Sequence, residues 1–566
     1  MRRTAEPTAL ADLASAAQRS GRIGGIWSPS GAQRPEALAA MGSALGRDAR
    51  LLSGVGTIAD ADACWLDGAP LHDFSGCSQR LREIDGGFAL AFQNERGALR
   101  LACDPIGHRS LYYSRLPDGT IVYASTLHGV LGSGLVPRRL CARAVPFFLT
   151  FAYVPGTQTL VEGVQVLPAG HVLDAGERGI ELQAFWQLPA TPPSWRDEAE
   201  LTAALRAELE QAVFRSLPPP DAHAGATLSG GVDSSLVLAL LRRAHAGELT
   251  CYSVAFGPEH ANELAWSGLV AAHCGVRQQV VEISAAEVAA ELDSTVAALS
   301  QPNGDPLTVP NALLFRRAAE RGSVLFNGEG GDPCFGGPKN APMLLAELLD
   351  ADPDPHDRHA RARSYLRAHQ KCYDDLPELL RPELRAELSA RDPLALERCV
   401  TPWFEDERWP SLLDKLMAIN VAFKGAHHIL PKVDHLSFAP GVCPRSTLFD
   451  RRVVELSFQI PPALKRKGAV EKHLLKRAVR DLLPASVIER PKSGMLVPVE
   501  AWFRGPLLAF ARERLLDGLT RWELFDRRWL ERLLDGTLGG LRPRRGVKIW
   551  LLLTLEAWLR GTLRAD

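Results

Sequence analysis

The segment SGGVDSS at residues 229–235 constrains this chain most, because it lies between a strand-like stretch and a helix-like stretch. Residues 224–228 form a short apolar run, and residues 236–243 repeat apolar side chains at helical spacing. Paired glycines let a backbone approach an anion, while successive N–H groups and the helix N-terminus point toward it. The embedded aspartate offers a carboxylate to a hard cation such as Mg²⁺. The pattern therefore predicts a phosphate-binding loop, although it lacks the GxxxxGK[ST] lysine of a Walker A loop.

The rest of the chain divides into two differently patterned parts. Further strand candidates at 249–256 and 280–283 alternate with helical stretches, which predicts a parallel sheet with ligands at its carboxyl ends. Before them, short apolar runs separated by Gly, Asp and Asn turns predict an antiparallel sheet assembly. The proline-rich stretch PATPPSW at 189–195 is typical of a linker. We therefore predict two domains, at 1–190 and 191–566.

Composition excludes several classes of protein. Across 566 residues, 65 Lys plus Arg balance 66 Asp plus Glu, whereas a nucleic-acid-coating protein normally carries a basic surplus. No apolar run reaches the roughly 20 residues that a bilayer requires, and no signal-peptide core is present. The ten cysteines form no C-x-x-C pair, so we expect reduced, mostly buried thiols and no zinc site. We expect a cytoplasmic enzyme with no nucleic-acid partner and no membrane span.

Several spaced motifs resemble one family. Residues 229–235 resemble the pyrophosphate loop of the N-type ATP pyrophosphatases, which cleave ATP to AMP and pyrophosphate. Further segments resemble asparagine synthetase B in its own order: NGEGGDPCFGG at 327–337, the stretch 429–450, EKHLL at 471–475 and RPK at 490–492. The resemblance covers about residues 200 to 510. It implies an α/β adenine nucleotide α-hydrolase-like domain of the N-type ATP pyrophosphatase class, with 341–400 as a family-specific insertion.

The first part resembles the glutaminase domain of the same family. DGGFA at 85–89, CDPIG at 103–107 and LYY at 111–113 match its motifs, which implies a degenerate N-terminal Ntn-hydrolase-like α+β domain. Such glutaminases use a cysteine as the mature first residue, with its own α-amine as the base. Arg2 occupies that place here, and the RGPD and NGEIYN segments are absent. We therefore expect a structural or substrate-docking remnant that does not hydrolyse glutamine.

The resemblance also implies roles for individual residues. ATP and pyrophosphate would be bound by Ser229, Gly230, Gly231, Asp233, Ser234, Ser235, Gly328, Gly330 and Lys472. Asp233 and Asp332 match the aspartates that hold Mg²⁺ against the ATP phosphates. Glu329 would orient or deprotonate the incoming amine, and a salt-bridged loop glutamate is the alternative. Lys492 matches a lysine that stabilises the adenylate and the negative charge of the tetrahedral intermediate.

Position 443 departs from the family pattern. Similar synthetases carry a glutamate two residues before Arg445, where this chain has Cys443, so the groups around the base must be arranged differently. Nothing nearby in the sequence lowers the pKa of that thiol, which argues against a nucleophilic role. His427, His428 and His435 flank the same region. Packing or capping is the favoured role for these histidines, and catalysis is the alternative.

The segment GEGGDPCFGGPKN with its trailing PMLL resembles the lasso peptide cyclases. The expected reaction uses Mg²⁺ and ATP to adenylate a peptide Asp or Glu side chain, which the N-terminal amine then attacks. Three alternatives stay open: a β-lactam synthetase, an ammonia-dependent asparagine synthetase, and a non-catalytic ATP-binding scaffold. The expected partners are a leader-cleaved peptide substrate, a leader peptidase and a leader-binding protein.

Overall fold

The computed structural model describes residues 21–46, 48–61, 77–177, 179–191, 197–349, 357–490, 496–540 and 543–563. The strands of its first part are β1 (Ile23–Trp27), β2 (Arg50–Leu52), β3 (Gly56–Ala61), β4 (Phe88–Gln93), β5 (Leu99–Cys103), β6 (Tyr112–Arg115), β7 (Ile121–Ala124), β8 (Val164–Val166), β9 (His171–Gly176) and β10 (Gly179–Ala184). The helices of this part are α1 (Pro35–Leu45), α2 (Cys77–Glu83), α3 (Leu127–Gly132) and α4 (Val145–Phe151).

These strands form two sheets, ordered β2-β1-β7-β6-β8 and β10-β9-β5-β4-β3. The pairing is antiparallel except between β1 and β2, so the predicted antiparallel assembly is confirmed in outline. One shared apolar core contains Ile23 and Leu52 from the first sheet and Ala91 and Leu101 from the second. Because successive strand residues point to opposite faces, alternate side chains of each strand fill this core.

The second part begins after residue 197. Its strands are β11 (Ala224–Thr227), β12 (Leu249–Ala255), β13 (Arg277–Glu282), β14 (Val324–Phe326), β15 (Cys443–Arg445), β16 (Arg466–Lys467) and β17 (Val470–Glu471). Its helices are α5 (Glu198–Arg215), α6 (Val232–Ala244), α7 (Leu264–Cys274), α8 (Ala285–Ala297), α9 (Thr308–Ala319), α10 (Gly331–Phe335), α11 (Ala341–Leu349), α12 (Ala360–Ala368), α13 (Leu376–Leu379), α14 (Pro382–Arg391), α15 (Ala395–Glu405), α16 (Leu412–Ile419), α17 (Leu430–Phe438), α18 (Arg451–Gln459), α19 (Pro462–Lys465), α20 (His473–Ala478), α21 (Ala485–Glu489), α22 (Val499–Trp502), α23 (Leu508–Arg512), α24 (Arg527–Asp535) and α25 (Arg545–Thr562). A π-helix, Asn420–Ile429, joins α16 to α17.

The main sheet of this part is parallel and ordered β13-β12-β11-β14-β15, which confirms the predicted α/β architecture. Strand β12, with the sequence LTCYSVA, is buried along its whole length, as expected for a strand covered on both faces. The chain adds β12 and β13 on one side of β11, and β14 and β15 on the other. The crevice between the carboxyl ends of β11 and β14 is therefore the topological switch point, where such folds bind ligands.

The two parts share one hydrophobic core. Phe148 and Phe151 of α4 belong to the same buried cluster as Trp550 and Leu551 of α25. The N–H of Gly304 donates to the carbonyl of Ala152 at 2.9 Å, which joins the two parts at the backbone. The domain limits and the 341–400 insertion stay predictions. Within the described ranges, no helix has both the length and the apolarity needed to cross a bilayer.

Four buried charges also link the two parts. The guanidinium of Arg22, at the start of β1, lies 2.8 Å from Asp434 on α17 and 3.2 Å from Asp60 on β3. Arg109 lies 2.6 Å from the second carboxylate oxygen of Asp434 and 3.5 Å from Asp60. All four side chains are at most 3% exposed. A cluster with two charges of each sign therefore fixes α17 against the first part.

Candidate active site

The predicted phosphate loop lies at the carboxyl end of β11, and helix α6 already begins inside it at Val232. Gly230 has a φ of +75°, and a Cβ atom there would lie 2.5 Å from the backbone nitrogen of Ser267 on α7. The hydroxyl of Ser234 accepts the N–H of Ser229 at 3.1 Å, which closes the turn. The buried hydroxyl of Ser235 has no hydrogen-bond partner among the residues that the structure describes. The loop is thus a tight turn followed by an open helix N-terminus, the geometry that binds anions.

The second glycine-rich segment, at 327–337, follows β14 and contacts the first loop directly. A Cβ on Gly328 would lie 2.5 Å from the backbone nitrogen of Ser234, and one on Gly331 would lie 2.2 Å from Cγ of Asp233. Gly330 has a φ of +108°, which favours glycine. The structure therefore brings the two predicted segments into one site, where glycine leaves room for the backbone at Ser234 and for the side chain of Asp233.

Two aspartates converge on one buried lysine. Asp233, in the first turn of α6, lies 2.5 Å from Nζ of Lys472, and Asp332 of α10 lies 2.6 Å from the same atom. Lys472 is 2% exposed and adopts a left-handed backbone conformation with a φ of +54°. The residues predicted for Mg²⁺ and for pyrophosphate are therefore brought together around a single cation.

Glu329 lies beside these aspartates on the second loop. Its N–H donates to the side-chain oxygen of Asn327 at 3.1 Å, and the N–H of Asn327 donates to the carbonyl of Arg445 at 3.0 Å. These bonds attach the loop to β15. Glu329 thus occupies the switch-point crevice next to the predicted phosphate loop.

A buried ion pair near Glu329 was not assigned a role from the sequence. Nζ of Lys432 lies 2.6 Å from Asp305, and the lysine is 3% exposed. Burial alone would lower the pKa of Lys432, but the carboxylates of Asp305 and Glu329 raise it above its ordinary value. Burial alone would raise the pKa of Asp305, but Lys432 outweighs this effect and holds it well below its usual range. Lys432 lies in the stretch 429–450 that resembles the family, and this resemblance is the sequence feature that could have identified it as a candidate site residue.

Cys443 and the flanking histidines have packing contacts. The Cys443 sulfur lies 3.0 Å from a guanidinium nitrogen of Arg445, and Cys443 is buried in β15. The ring of His428 stacks on Tyr153 at 4.9 Å, and burial lowers the pKa of His428 well below its ordinary value. His435 lies 3.5 Å from the hydroxyl of Ser300. His427 lines a small cavity of about 20 Å³ between the two parts of the chain.

Lys492, predicted as catalytic, lies outside the described residues. The last described residue before it, Arg490, pairs with Glu263 and covers the ring of Trp266 at 4.8 Å. A Cβ on Gly230 would lie 2.6 Å from Cβ of Trp266. The chain therefore reaches the phosphate loop at Arg490. Among the described residues, no group of three His, Cys, Asp or Glu side chains is arranged to bind a metal ion.

The fold and this site define an ATP-dependent carbon–nitrogen ligase that forms AMP and pyrophosphate. The family model for asparagine synthase matches residues 204–560, and that for the glutamine amidotransferase domain matches 71–186. The chain belongs to the asparagine synthase family. The predicted family, the nucleotide α-hydrolase-like fold with a glutaminase-type domain, and the enzyme class are thereby confirmed.

Two curated relatives show the range of this family. The chain is 23% identical over 499 residues to asparagine synthetase [glutamine-hydrolyzing] 1 of Bacillus subtilis (strain 168), covering 84% of this chain and 77% of the relative. It is 26% identical over 387 residues to carboxyethyl-arginine beta-lactam-synthase of Streptomyces clavuligerus, covering 67% of this chain and 60% of the relative. Among solved structures, an NH3-dependent NAD synthetase from Campylobacter jejuni covers 35% of this chain and 93% of its own at 16% identity, and its TM-score of 0.19 is too low to bear on the fold.

Proposed function

We propose that this chain forms an isopeptide bond within one peptide, as lasso peptide cyclases do. An Asp or Glu side-chain carboxylate attacks the α-phosphate of ATP, and pyrophosphate leaves. The peptide's N-terminal amine then attacks the acyl-adenylate, AMP departs as the C–N bond forms, and the amine loses a proton to the base. The observation that carries the proposal is a site with one half for ATP and one carboxylate, Glu329, for the amine. In the first part of the chain, the two cysteines whose side chains the structure describes, Cys103 and Cys141, are both buried.

The ATP half is formed by the two glycine-rich loops. The N–H groups at the start of α6 supply donors for phosphate oxygens, and so does the Ser235 hydroxyl, which has no partner among the described residues. Lys472 lies between Asp233 and Asp332, so it is placed to contact departing pyrophosphate once the nucleotide enters. Gly328 lets the second loop approach the backbone of the first at Ser234, and Gly331 leaves room for the Asp233 side chain.

The residues also fit a magnesium ion. Asp233 and Asp332 already place carboxylate oxygens within 2.6 Å of one cationic atom, the Lys472 ammonium. Two carboxylates completed by phosphate oxygens and water are a usual ligand set for Mg²⁺. When bound there, the ion would neutralise charge on the phosphates of ATP. The chain's own contribution is to hold both carboxylates and the ammonium in a largely dry site.

The structure describes the side chains of two cysteines in the first part, Cys103 and Cys141, and neither is suited to act as a nucleophile. Cys103 lies in β5 at 1% exposure, and burial, with the adjacent Asp104 carboxylate, raises its pKa well above the ordinary value. Cys141 is also buried. The glutaminase segments RGPD and NGEIYN are absent from the sequence. A substrate amine is therefore the better nucleophile, because neither of these two described thiols suits glutamine hydrolysis.

A peptide N-terminus suits the base that is present. The reference pKa of an α-amine is near 7.7 to 8.0, so a sizeable fraction is neutral at neutral pH. A carboxylate such as Glu329 needs only to accept the proton that the amine loses as the amide forms. Ring closure then depends mainly on holding the two ends of the peptide together. The relation to the β-lactam synthase favours a second candidate, in which a smaller amino-acid-like molecule closes on itself.

The test supplies the purified protein with Mg²⁺ and ATP and two substrate sets in parallel. One set is aspartate plus ammonium, and the other is linear peptides with a free N-terminus and an acidic residue several positions on. Mass spectrometry follows AMP and any product lighter by one water. The matched control is Asp233→Ala, which retains the loop but loses a carboxylate.

A dehydrated peptide formed only by the unmodified chain supports the proposal. Asparagine would identify an ammonia-dependent synthetase instead, and AMP without either product would direct the search to small β-amino acid substrates. Absence of AMP under all conditions would favour the ATP-binding scaffold. If the peptide product is found, we further propose that a leader peptidase and a leader-binding protein act beside this chain.

A further inference from the structure

The phosphate loop rests directly against the start of α7. Gly230 lies so close to this helix that a Cβ atom there would be 2.5 Å from the backbone nitrogen of Ser267 and 2.6 Å from Cβ of Trp266. Not even one added side-chain atom has room between the loop and the helix. The conformation of the loop, including the φ of +75° at Gly230, therefore depends on where Trp266 and Ser267 are held.

Hydrogen bonds hold the backbone of α7 in place. The side-chain amide of Gln278 on β13 donates to the hydroxyl of Ser267 at 2.8 Å and to that of Ser253 on β12 at 2.9 Å. The Ser253 hydroxyl in turn donates to the carbonyl of Leu228, directly before the loop, at 2.6 Å. These bonds tie the helix and the loop to the same sheet, but none of them holds the indole ring of Trp266.

Arg490 covers that ring. Its guanidinium carbon lies 4.8 Å from the centre of the Trp266 ring, and its guanidinium pairs with Glu263, the residue just before α7. The Arg490 side chain is 8% exposed and that of Glu263 is 11% exposed. A cation over an indole is attracted by the electrons of the ring, and more strongly where water is excluded. Arg490 therefore fixes the Trp266 ring, although the two residues lie far apart in the sequence.

We propose that Arg490, anchored by Glu263, is a positioning residue for ATP. By holding Trp266, it keeps the phosphate loop in the conformation whose N–H groups bind the phosphates. The nucleotide then meets a loop that is already ordered, and its affinity is higher because less conformational freedom is lost on binding. The inference rests on the ATP half of the proposed function and is independent of the product that is formed.

The first experiment measures nucleotide binding and needs no acceptor substrate. Calorimetry in the presence of Mg²⁺ gives the dissociation constant of α,β-methylene-ATP, an analogue that is not cleaved between its α- and β-phosphates. We expect Arg490→Met to raise this constant roughly 10-fold, which corresponds to the cost of ordering one or two side chains. An unchanged dissociation constant would overturn the proposal, even in a less stable variant.

Inorganic pyrophosphate with Mg²⁺ is the second probe. It can use the N–H groups of the loop but has no adenine ring or ribose. We therefore expect Arg490→Met to weaken pyrophosphate and the ATP analogue by similar factors. A loss confined to the ATP analogue would refute the proposal, since Arg490 would then act on the nucleoside and not on the phosphate loop.

A double-mutant cycle tests whether Arg490 acts through Trp266. Arg490→Met, Trp266→Leu and the combined variant are compared by the dissociation constant of the ATP analogue. We expect Arg490→Met to have little further effect once Trp266→Leu has removed the ring. Losses that multiply independently would overturn the proposal, because Arg490 would then influence ATP by some other route.

The matched control is Arg408→Met. Arg408 also pairs with an acidic residue, Asp406, at 2.8 Å, and it also covers a tryptophan, Trp409, at 4.5 Å. Arg408→Met should therefore lose the same kinds of contact but keep the wild-type dissociation constants. An equal loss of affinity in this control would show a general effect of lowered stability and refute the proposal.

A second variant keeps the test decisive if Arg490→Met does not fold. Arg490→Met/Glu263→Gln removes the pair without leaving an uncompensated carboxylate, and it takes the place of the single variant. Wild-type binding of both probes with no change in the variant would refute this inference alone. Wild-type protein that binds neither probe would refute the ATP half of the proposed function, and the inference with it.

Discussion

The buried charge cluster between the two parts of the chain gives the sharpest stability prediction. Asp434 on α17 binds Arg22 at 2.8 Å and Arg109 at 2.6 Å, and Asp60 pairs with both at longer distances. Asp434→Ala would leave two positive charges and one negative charge in a site that is almost inaccessible to water. Breaking a buried ion pair by removing one partner usually costs about 3 to 5 kcal/mol, because a charge is left uncompensated.

The arginines have no means of relieving this cost by losing a proton. Burial alone would lower the pKa of Arg22, but Asp434 and Asp60 raise it above its ordinary value. The guanidinium therefore stays charged across the accessible pH range in the native state. The cost of the substitution should persist from pH 6 to pH 9.

Urea unfolding followed by tryptophan fluorescence provides the measurement. We expect one transition for the wild type, because the two parts share a hydrophobic core, and a loss of about 3 to 5 kcal/mol in Asp434→Ala. Asp118→Ala, which breaks an exposed pair with Arg34, is the control and should change little. A wild-type free energy of unfolding in Asp434→Ala would refute the reasoning. So would separate transitions of the two parts in the wild-type protein.

Two further substitutions test the candidate site, and a third tests the burial of His428. Asp233→Ala should abolish AMP formation and leave the far-ultraviolet circular dichroism unchanged, and retained turnover would refute the assignment of this carboxylate to the ATP half. Lys472→Met should lower the melting temperature without metal, because Asp233 and Asp332 then face each other without their cation, and added Mg²⁺ should raise it more than in the wild type. Equal Mg²⁺ shifts in both proteins would show that the ammonium and the ion do not share a site. In the native state, burial lowers the pKa of His428. Below about pH 6.5 the unfolded chain therefore binds a proton at this histidine, whereas the native chain does not. The free energy of unfolding should therefore fall as the pH drops from 6.5 to 5, by up to about 1.4 kcal/mol per unit, and His428→Asn should reduce that slope, whereas an unchanged slope would contradict the burial of this group.

Local sequence patterns predicted the parts of this protein that depend on short stretches of chain. The glycine pair and aspartate of 229–235 predicted a strand, a tight turn and a helix N-terminus, and the structure has all three in that order. The apolar run at 249–256 predicted a strand, which is β12, and the structure shows that this strand is buried. These features are local, because φ preferences, capping and hydrophobic periodicity act over a few residues. Strands β14 and β15, each three residues long, carry too little periodicity to be recognised in this way.

The sequence by itself determined the two-part organisation, the family and the residue types of the ATP half. Only the tertiary structure decided which charges face one another. Lys472 lies between Asp233 and Asp332, although about 140 or more residues separate it from each along the chain. Lys432 pairs with Asp305, and Arg22 pairs with Asp434 across the two parts. These pairings depend on how the parallel sheet and its covering helices pack. A charged side chain gives no local sign of a distant partner, because water can solvate the charge until burial excludes water and makes an opposite charge in the protein necessary.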